Sequence, residues 1–138
     1  MVIARRRLLI ADDDAALRET LCEALEDHFD VVPAEDGEHA IECLDREPAD
    51  AAVFDVQMGE VSGLDVLETA RRRELVLPTL FMTARPTDEV LRRAAVLGGS
   101  PVLTKPFPLL SLIESLCEVL TRAYGREAVP AGLSPDRN

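Results

Sequence analysis

The sequence predicts a doubly wound α/β domain built on a five-stranded parallel sheet. Three observations lead to this fold class: short apolar runs recur five times at fairly even intervals, segments with helical spacing lie between them, and the chain has 138 residues. Strands that alternate with helices form parallel sheets with helices on both faces, and right-handed crossovers make the doubly wound arrangement the natural solution. An eight-stranded α/β barrel needs roughly 250 residues and is therefore excluded.

The predicted strands are the five apolar runs. Most of them are rich in valine, isoleucine, leucine and phenylalanine with little polar alternation, which is typical of strands buried on both faces of a sheet. The second run, FDVVP, is more mixed, and we expect it to lie nearer an edge of the sheet. The predicted strands cover Arg7–Ala11, Phe29–Pro33, Ala51–Val56, Thr79–Thr83 and Pro101–Thr104.

The segments between and after the strands have helical periodicity and helix start signals. The last segment follows the i, i+3, i+4, i+7 spacing of an amphipathic helix most closely, from Leu109 to Leu120. Most of the others begin after a residue whose side chain commonly caps a helix, and a proline in the first turn costs no hydrogen bond. The predicted start residues are Asp13 or Asp14, Asp36, Ser62 with Asp65, Thr87 and Pro108.

This periodicity ends near residue 124. Residues 125–138 gain glycine and proline and lose apolar spacing. The sequence therefore predicts a domain over residues 1–124, followed by a flexible tail or the start of a linker. Because independent domains usually need at least ~50 residues, we do not expect residues 125–138 to fold alone. A stand-alone domain and a fragment of a longer protein are both compatible with this pattern.

Composition excludes several classes of partner. Fifteen basic against twenty-six acidic residues give a net charge of −11, which argues against direct binding to nucleic acid or to an anionic membrane surface. No apolar run reaches the ~18 residues of a membrane span, and aspartates directly follow the first apolar run, unlike in a signal peptide. The scattered Cys22, Cys43 and Cys117 fit small apolar residues in a reducing compartment. We therefore expect a cytoplasmic protein.

Polar residues follow four of the predicted strands at the point where each strand ends. Asp12 and Asp13 follow the first strand, Asp55 lies at the end of the third, Thr83 ends the fourth and Lys105 follows the fifth. The carboxyl ends of parallel strands share one edge of the sheet, where doubly wound folds bind their ligands. We therefore expect these side chains to converge on one site.

The chemistry of this set favours phosphoryl transfer. Three carboxylates held together repel one another unless a cation lies among them, and Mg²⁺ with oxygen ligands suits such a site. One carboxylate can act as the nucleophile towards a phosphoryl donor. The ammonium of Lys105 and the hydroxyl of Thr83 can then bind the phosphoryl oxygens. Each residue alone has a simpler structural interpretation, such as helix capping or surface solvation, and only the conjunction favours function. His28 and His39 do not belong to this set.

Four separate stretches resemble bacterial response-regulator receiver domains. They are LLIADDD, VFDVQMGEVSGLDVL, TLFMTA and LTKPF, which occur in the family's order, and the resemblance covers about residues 5–122. It implies a flavodoxin-like strand order 2-1-3-4-5. It also implies that the protein is a signalling domain rather than an enzyme with an external substrate.

The resemblance further implies a phosphorylation site at Asp55, charged by a histidine kinase or a histidine phosphotransfer protein. Asp12 and Asp13 would hold Mg²⁺ together with Asp55, and the backbone carbonyl of Gln57 would be a further ligand. Lys105 would pair with the oxygens of the phosphoryl group. The domain would catalyse only its own phosphorylation and dephosphorylation.

Other positions carry expectations from the same resemblance. Thr83 would move towards the phosphoryl group on activation, and the small Ala84 would leave room for the donor. Gln57 and Arg85 would flank the site and tune how fast the phosphate is lost. A cis peptide bond is expected at Pro106.

Two positions depart from the common pattern of the family. Val102 stands where many receivers carry a tyrosine or phenylalanine that swings inward, and a valine is stiff about χ1 and has no ring. Any signal would then pass through backbone shifts or through packing of the fourth helix, fifth strand and fifth helix. Gly59 replaces a frequent proline, which predicts a more mobile loop.

The expected partners are a kinase or phosphotransfer protein, a downstream protein or output domain, and a second copy bound through the face of the fourth helix, fifth strand and fifth helix. One alternative is a receiver-like docking module that signals without phosphorylation, which Val102 favours. Another is an aspartate-nucleophile phosphatase, which typically needs a second aspartate two residues after the nucleophile. Here that position is Gln57, which cannot transfer a proton.

Overall fold

The computed structural model describes residues 5–133, over which five strands alternate with five α-helices. The strands are β1 (Arg7–Ala11), β2 (Asp30–Ala34), β3 (Ala51–Asp55), β4 (Thr79–Thr83) and β5 (Val102–Thr104). The helices are α1 (Ala15–Leu25), α2 (Gly37–Arg46), α3 (Gly63–Arg72), α4 (Asp88–Val96) and α5 (Leu109–Tyr124).

All strand pairs are parallel, and the order across the sheet is β2-β1-β3-β4-β5. The predicted fold class and strand order are confirmed. The order reverses between β1 and β3, which places the topological switch point between these two strands. The mixed FDVVP run is the edge strand β2, as expected, and its exposed Pro33 is tolerated because an edge strand leaves one side unpaired. This strand extends to Ala34, which pairs with Ala11.

The predicted start signals cap four of the five helices. In each, the side chain of the capping residue accepts a hydrogen bond from the backbone N–H three residues later, which satisfies a donor that the helix itself leaves unpaired. The first helix is capped by Asp14 rather than Asp13. At α3, Ser62 and Asp65 form a complete capping box with bonds of 2.9 and 3.0 Å. The caps are Asp14, Asp36, Ser62 and Thr87.

Two apolar clusters cover the two faces of the sheet. Successive strand side chains point to opposite faces, so Phe81 of β4 joins the cluster beneath α2, α3 and α4, while its neighbours Leu80 and Met82 join the cluster beneath α1 and α5. All three side chains are fully buried. This core fixes the strand ends, and with them every side chain that projects from those ends.

The segment after α5 packs against the domain. Arg126–Ala128 forms a 3₁₀ turn, and Ala128 and Leu133 are buried in the cluster beneath α1 and α5. The expectation of a flexible tail from residue 125 therefore differs from the structure as far as residue 133, because two apolar side chains find a place in this core. Residues 134–138 lie outside the described residues, and for them the expectation stays a prediction.

Between residues 5 and 133, no helix is long and apolar enough to cross a membrane. Cys22 and Cys43 are half-buried, and burial raises the pKa of both thiols above its ordinary value. These two side chains therefore behave as small apolar residues rather than as reactive thiolates.

Candidate functional site

The carboxyl ends of β1, β3, β4 and β5 bring together the predicted polar residues. We call this side of the sheet the carboxyl edge. Asp12, Asp55 and Thr83 are buried there, and Lys105 is half-buried beside them. Since β1 and β3 are neighbours at the switch point, Asp12 and Asp55 meet although 43 positions separate them in the sequence.

Three carboxylates form an acidic cluster at this edge. One oxygen from each of Asp12, Asp13 and Asp55 lies within 4.8 Å of the others. Asp12 is fully buried and Asp55 is 5% exposed, whereas Asp13 is exposed. This geometry fits a hard divalent cation, because the ion would be held by a few carboxylate oxygens on the protein side and by waters on the open side.

Asp12 is held from three directions. Its Oδ1 accepts a hydrogen bond from the backbone N–H of Asp14 at 2.9 Å, and its Oδ2 accepts one from Lys105 Nζ at 2.9 Å. The backbone carbonyl of Asp12 accepts a further bond from Arg18 Nη1 at 2.6 Å. The carboxylate is therefore fixed in place before any ion or donor arrives. The contribution of Arg18 was not predicted from the sequence.

Lys105 bridges the two buried carboxylates. Its Nζ lies 2.9 Å from Asp12 Oδ2 and 3.3 Å from Asp55 Oδ2. The backbone N–H of Lys105 donates to the carbonyl of Thr83 at 2.8 Å, which continues the pairing of β4 with β5, and the Lys105–Pro106 peptide bond is cis, as expected. Burial disfavours the ammonium, but the bond to Asp12 and the charges of both carboxylates outweigh it and raise the pKa of Lys105.

The environment of Asp55 disfavours its charge. Burial, and next the negative charge of Asp12, raise the pKa of Asp55 to about 7, and the nearby ammonium of Lys105 only partly opposes this. The protonated form of this carboxyl group is therefore favoured far more than in an ordinary aspartate. A cation among the three carboxylates would restore the ionised form, which is a second indication that the cluster suits a metal ion.

The hydroxyl of Thr83 is already engaged. Thr83 is fully buried, its Oγ1 donates to Gln57 Oε1 at 2.9 Å, and it accepts from the backbone N–H of Arg85 at 3.0 Å. Ala84 and the side chain of Arg85 are exposed at the rim of the site, on the side predicted to admit a donor. The sequence predicts Thr83 and Gln57 at one site, whereas the hydrogen bond between their side chains is visible only in the structure.

Two glycines that sequence reasoning missed allow the loops at this edge to pack closely. A Cβ on Gly63 would lie 2.4 Å from the carbonyl oxygen of Asp55, and a Cβ on Gly37 would lie 2.3 Å from the carbonyl oxygen of Val61. Glycine is a poor helix former, yet Gly37 and Gly63 are the first residues of α2 and α3. That unfavourable choice at both helix starts was the signal in the sequence.

The remaining predicted residues lie around or away from the site. Val102 pairs with Phe81 and packs, half-buried, against the cluster beneath α2, α3 and α4. Gly59 has a φ of 86°, a left-handed conformation that favours glycine. His39 lies in the first turn of α2, where its Nδ1 accepts a hydrogen bond from the N–H of Glu35 at 3.2 Å, and it makes none of the contacts described above for the acidic cluster.

The family model described as the response regulator receiver domain matches residues 8–117. Among curated proteins, the chain is 38% identical to the transcriptional regulatory protein TrcR of Mycobacterium tuberculosis over 120 residues, which is 85% of this chain and 46% of TrcR. It is 40% identical to the response regulator MprA of Mycobacterium leprae over 125 residues, which is 88% of this chain and 54% of MprA. The chain thus spans about half the length of these curated relatives.

Solved structures show the same fold. The chemotaxis protein CheY4 of Vibrio cholerae superposes with a TM-score of 0.78 at 26% identity, over 85% of this chain and 100% of CheY4. The non-phosphorylated receiver domain of HemR from Leptospira biflexa superposes with a TM-score of 0.77 at 32% identity, over 83% of this chain and 94% of that domain.

Proposed function

The chain belongs to the family of response regulator receiver domains, and on this premise we propose that Asp55 is its phosphoacceptor. Receiver domains of response regulators are signalling domains of two-component systems that act with histidine kinases and output domains. The observation that supports Asp55 is its placement: a buried carboxylate with Lys105 Nζ at 3.3 Å and with Asp12 and Asp13 in the same acidic cluster.

The chemistry proceeds by nucleophilic attack of Asp55. A carboxylate oxygen forms a bond to the phosphorus of a phosphohistidine donor, while the phosphorus–nitrogen bond breaks and its electron pair returns to the imidazole. Lys105 stabilises the negative oxygens of the group in transit, and the exposed Ala84 leaves space for the donor. The fixed position of Asp12 keeps the site organised throughout, so little reorganisation is needed at the moment of transfer.

The metal in this proposal is Mg²⁺. Asp12, Asp13 and Asp55 would hold it with carboxylate oxygens, and Gln57 would add its backbone carbonyl. When bound, the ion neutralises negative charge on the phosphoryl group and on the cluster. Because burial and the charge of Asp12 raise the pKa of Asp55, an ion that favours the carboxylate nucleophile and neutralises the phosphoryl oxygens should be needed for efficient phosphorylation.

The output is a change in a partner surface. Phosphorylation adds roughly −2 charge at Asp55 and biases the domain between two arrangements. Exposed apolar side chains on α4 and α5 support a docking role for these elements, for a downstream protein, an output domain or a second copy of the chain. These side chains are Leu91, Val96, Leu109 and Leu110. With Val102 at the aromatic position, the readout rests on backbone shifts and packing of α4, β5 and α5.

The predicted absence of direct nucleic-acid binding concerns only these 138 residues. The relative TrcR is named a transcriptional regulatory protein, and the chain covers 46% of it. The net charge of −11 supports the expectation for the receiver part itself. A cytoplasmic location belongs to the same proposal.

Phosphorylation from a small-molecule donor tests the proposal directly. The chain is incubated with Mg²⁺ and acetyl phosphate, and intact mass spectrometry with peptide mapping is expected to show one added phosphoryl group on Asp55. Asp55→Asn is expected to take up none, and chelation of Mg²⁺ is expected to abolish uptake by the intact chain. Asp88→Asn, a change at an exposed carboxylate on α4, serves as the matched control and should behave like the unaltered chain.

Uptake on a residue other than Asp55, or none at all, would overturn the proposal. None of the comparisons supports the alternative of a docking module that signals independently of phosphate.

A further inference from the structure

The hydroxyl of Thr83 can donate one hydrogen bond, and in this structure it donates that bond to the side chain of Gln57. The Thr83 side chain is fully buried, and its Oγ1 already accepts a hydrogen bond from the backbone N–H of Arg85 at 3.0 Å. The hydroxyl proton therefore points at Gln57 Oε1, 2.9 Å away. Both hydrogen-bonding roles of this buried group are satisfied within the protein.

Gln57 reaches this hydroxyl from an otherwise exposed position. It lies two residues beyond Asp55, at the start of the loop that joins β3 to α3. That loop is tied down on both sides: the N–H of Val56 donates to the carbonyl of Met82 at 2.8 Å, and the N–H of Gly63 donates to the carbonyl of Val56 at 3.1 Å. The loop backbone therefore keeps the carboxamide of Gln57 close to Thr83.

A phosphoryl group on Asp55 would compete for the same proton. Lys105 Nζ already lies 3.3 Å from Asp55 Oδ2, and Thr83 ends β4, the strand that pairs with β3 next to Asp55. A hydroxyl with one proton cannot donate both to Gln57 and to a phosphoryl oxygen. Any arrangement in which Thr83 binds the phosphoryl group must break the bond to Gln57.

We propose that Gln57 is a positioning residue that holds Thr83 in the non-phosphorylated arrangement and so sets how readily the domain switches. The inference rests on the proposed function of Asp55. It differs from an effect on the lifetime of the phosphate, because Gln57 acts on the balance between two arrangements of Thr83. The effect of Gln57 on this balance should be large because the Thr83 hydroxyl is buried. Without Gln57 as its acceptor, the hydroxyl would lack a partner in the non-phosphorylated arrangement, so binding to the phosphoryl group would become more favourable.

The test uses beryllofluoride, which mimics a phosphoryl group on a carboxylate, in the presence of Mg²⁺. Gln57→Met keeps an unbranched side chain of similar length but removes the acceptor oxygen. We expect this variant to lower the half-saturating beryllofluoride concentration by about three- to tenfold, the effect of one neutral hydrogen bond. The amide resonance of Arg85, whose N–H donates to Thr83 Oγ1, reports the state of the hydroxyl during the titration.

A double-mutant cycle separates this mechanism from a general effect of the substitution. Thr83→Val removes the hydroxyl while keeping the shape of the side chain, and on this background Gln57→Met should change the half-saturating concentration less than twofold. An equal effect on both backgrounds, or no effect of Gln57→Met on the intact chain, would overturn the inference. Failure of the unaltered chain to respond to beryllofluoride, with Asp55→Asn as reference, would instead overturn the proposed function.

Discussion

The two edges of the sheet are built from the same five strands but are closed in different ways. At the carboxyl edge, buried carboxylates, a lysine and a threonine lie side by side. The carboxylates repel one another, and the ammonium of Lys105 only partly relieves this repulsion. At the opposite edge, which we call the amino edge, apolar side chains close the core. There Ala128 and Leu133, from the segment after α5, complete the cluster beneath α1 and α5.

Polar side chains at the amino edge form hydrogen bonds and ion pairs with one another and with the backbone, although the buried Nε of Arg6 has no hydrogen-bond partner among the described residues. Asp50 accepts a hydrogen bond from the backbone N–H of Arg7 at 2.7 Å through its carboxylate and one from Tyr124 Oη at 2.6 Å through its carbonyl. Arg7 also pairs with Asp30 at 3.0 Å and with Glu47. These exposed pairs contribute little to stability because water and salt screen them. The difference teaches that buried apolar side chains stabilise the domain at the amino edge, whereas a buried charge at Asp55 destabilises it at the carboxyl edge, where we propose that phosphoryl transfer takes place.

The largest effect is expected at the amino edge. Leu133→Ala should lower the free energy of unfolding by about 3 kcal/mol, because it empties a buried site in the core. Denaturant unfolding measures the change, and the loss should be the same at pH 5 and pH 8. Val76→Ala, at a side chain that is 76% exposed on the same edge, is the matched control and should change stability by less than about 0.5 kcal/mol. Equal effects of the two substitutions would mean that residues beyond α5 do not close this edge.

A substitution at the carboxyl edge is expected to raise the free energy of unfolding, whereas the one at the amino edge lowers it. Asp55→Asn should raise the free energy of unfolding by about 2 kcal/mol in metal-free buffer at pH 8, because it removes a buried charge whose pKa is raised to about 7. One pKa unit corresponds to about 1.4 kcal/mol, and partial solvation of the site reduces the full effect.

The raised pKa of Asp55 also makes the stability of the domain depend on pH. Folded Asp55 binds a proton more tightly than the unfolded chain does, so its contribution to stability is present below the ordinary aspartate range, near pH 4, and is lost as the pH rises through about 7. The stability gained by Asp55→Asn should therefore shrink between pH 8 and pH 5. The exposed Asp88→Asn variant should show no such trend. If the stability gained by Asp55→Asn were the same at pH 5 and pH 8, the inference that Asp55 carries a destabilising buried charge would be wrong.

The smallest effect on stability is expected from backbone strain at Glu74, which also lies at the amino edge. Glu74 follows α3 with a φ of 60°, a left-handed conformation that strains any residue with a Cβ. Glu74→Gly should raise the free energy of unfolding by about 0.5–1 kcal/mol, since relief of strain exceeds the added entropy of the unfolded chain. Glu74→Ala removes the same side chain but keeps the strain, so it should leave thermal stability nearly unchanged. A gain from the alanine variant as large as that from glycine would assign the effect to the charge of Glu74 instead.

Much of the fold could be predicted from the sequence because the residues that start helices and form buried strands act on neighbours only a few positions away. Caps such as Asp36 and Ser62 act on a backbone N–H three residues away, and buried strands such as β3 appear as continuous apolar runs. The polar residues at the strand ends were readable for a related reason. Parallel strands present all their carboxyl ends at one edge, so sequence position alone groups Asp12, Asp55 and Lys105.

Other features depend on which surfaces meet and leave no periodic trace. Residues 125–133 resemble a linker in composition, yet Ala128 and Leu133 join the buried cluster to which α1 and α5 also contribute. Gly63 is required by the approach of α3 to the carbonyl of Asp55, which local propensity would argue against.

The sequence by itself therefore determined the class of fold, the starts of four capped helices and which polar side chains meet at the carboxyl edge. Only the tertiary structure decided how the members are paired. Lys105 bonds to Asp12 more closely than to Asp55, and Thr83 donates to Gln57. The physical reason is that each of these side chains has several partners of suitable chemistry within its reach along the chain, and distances of a few tenths of an ångström select among them.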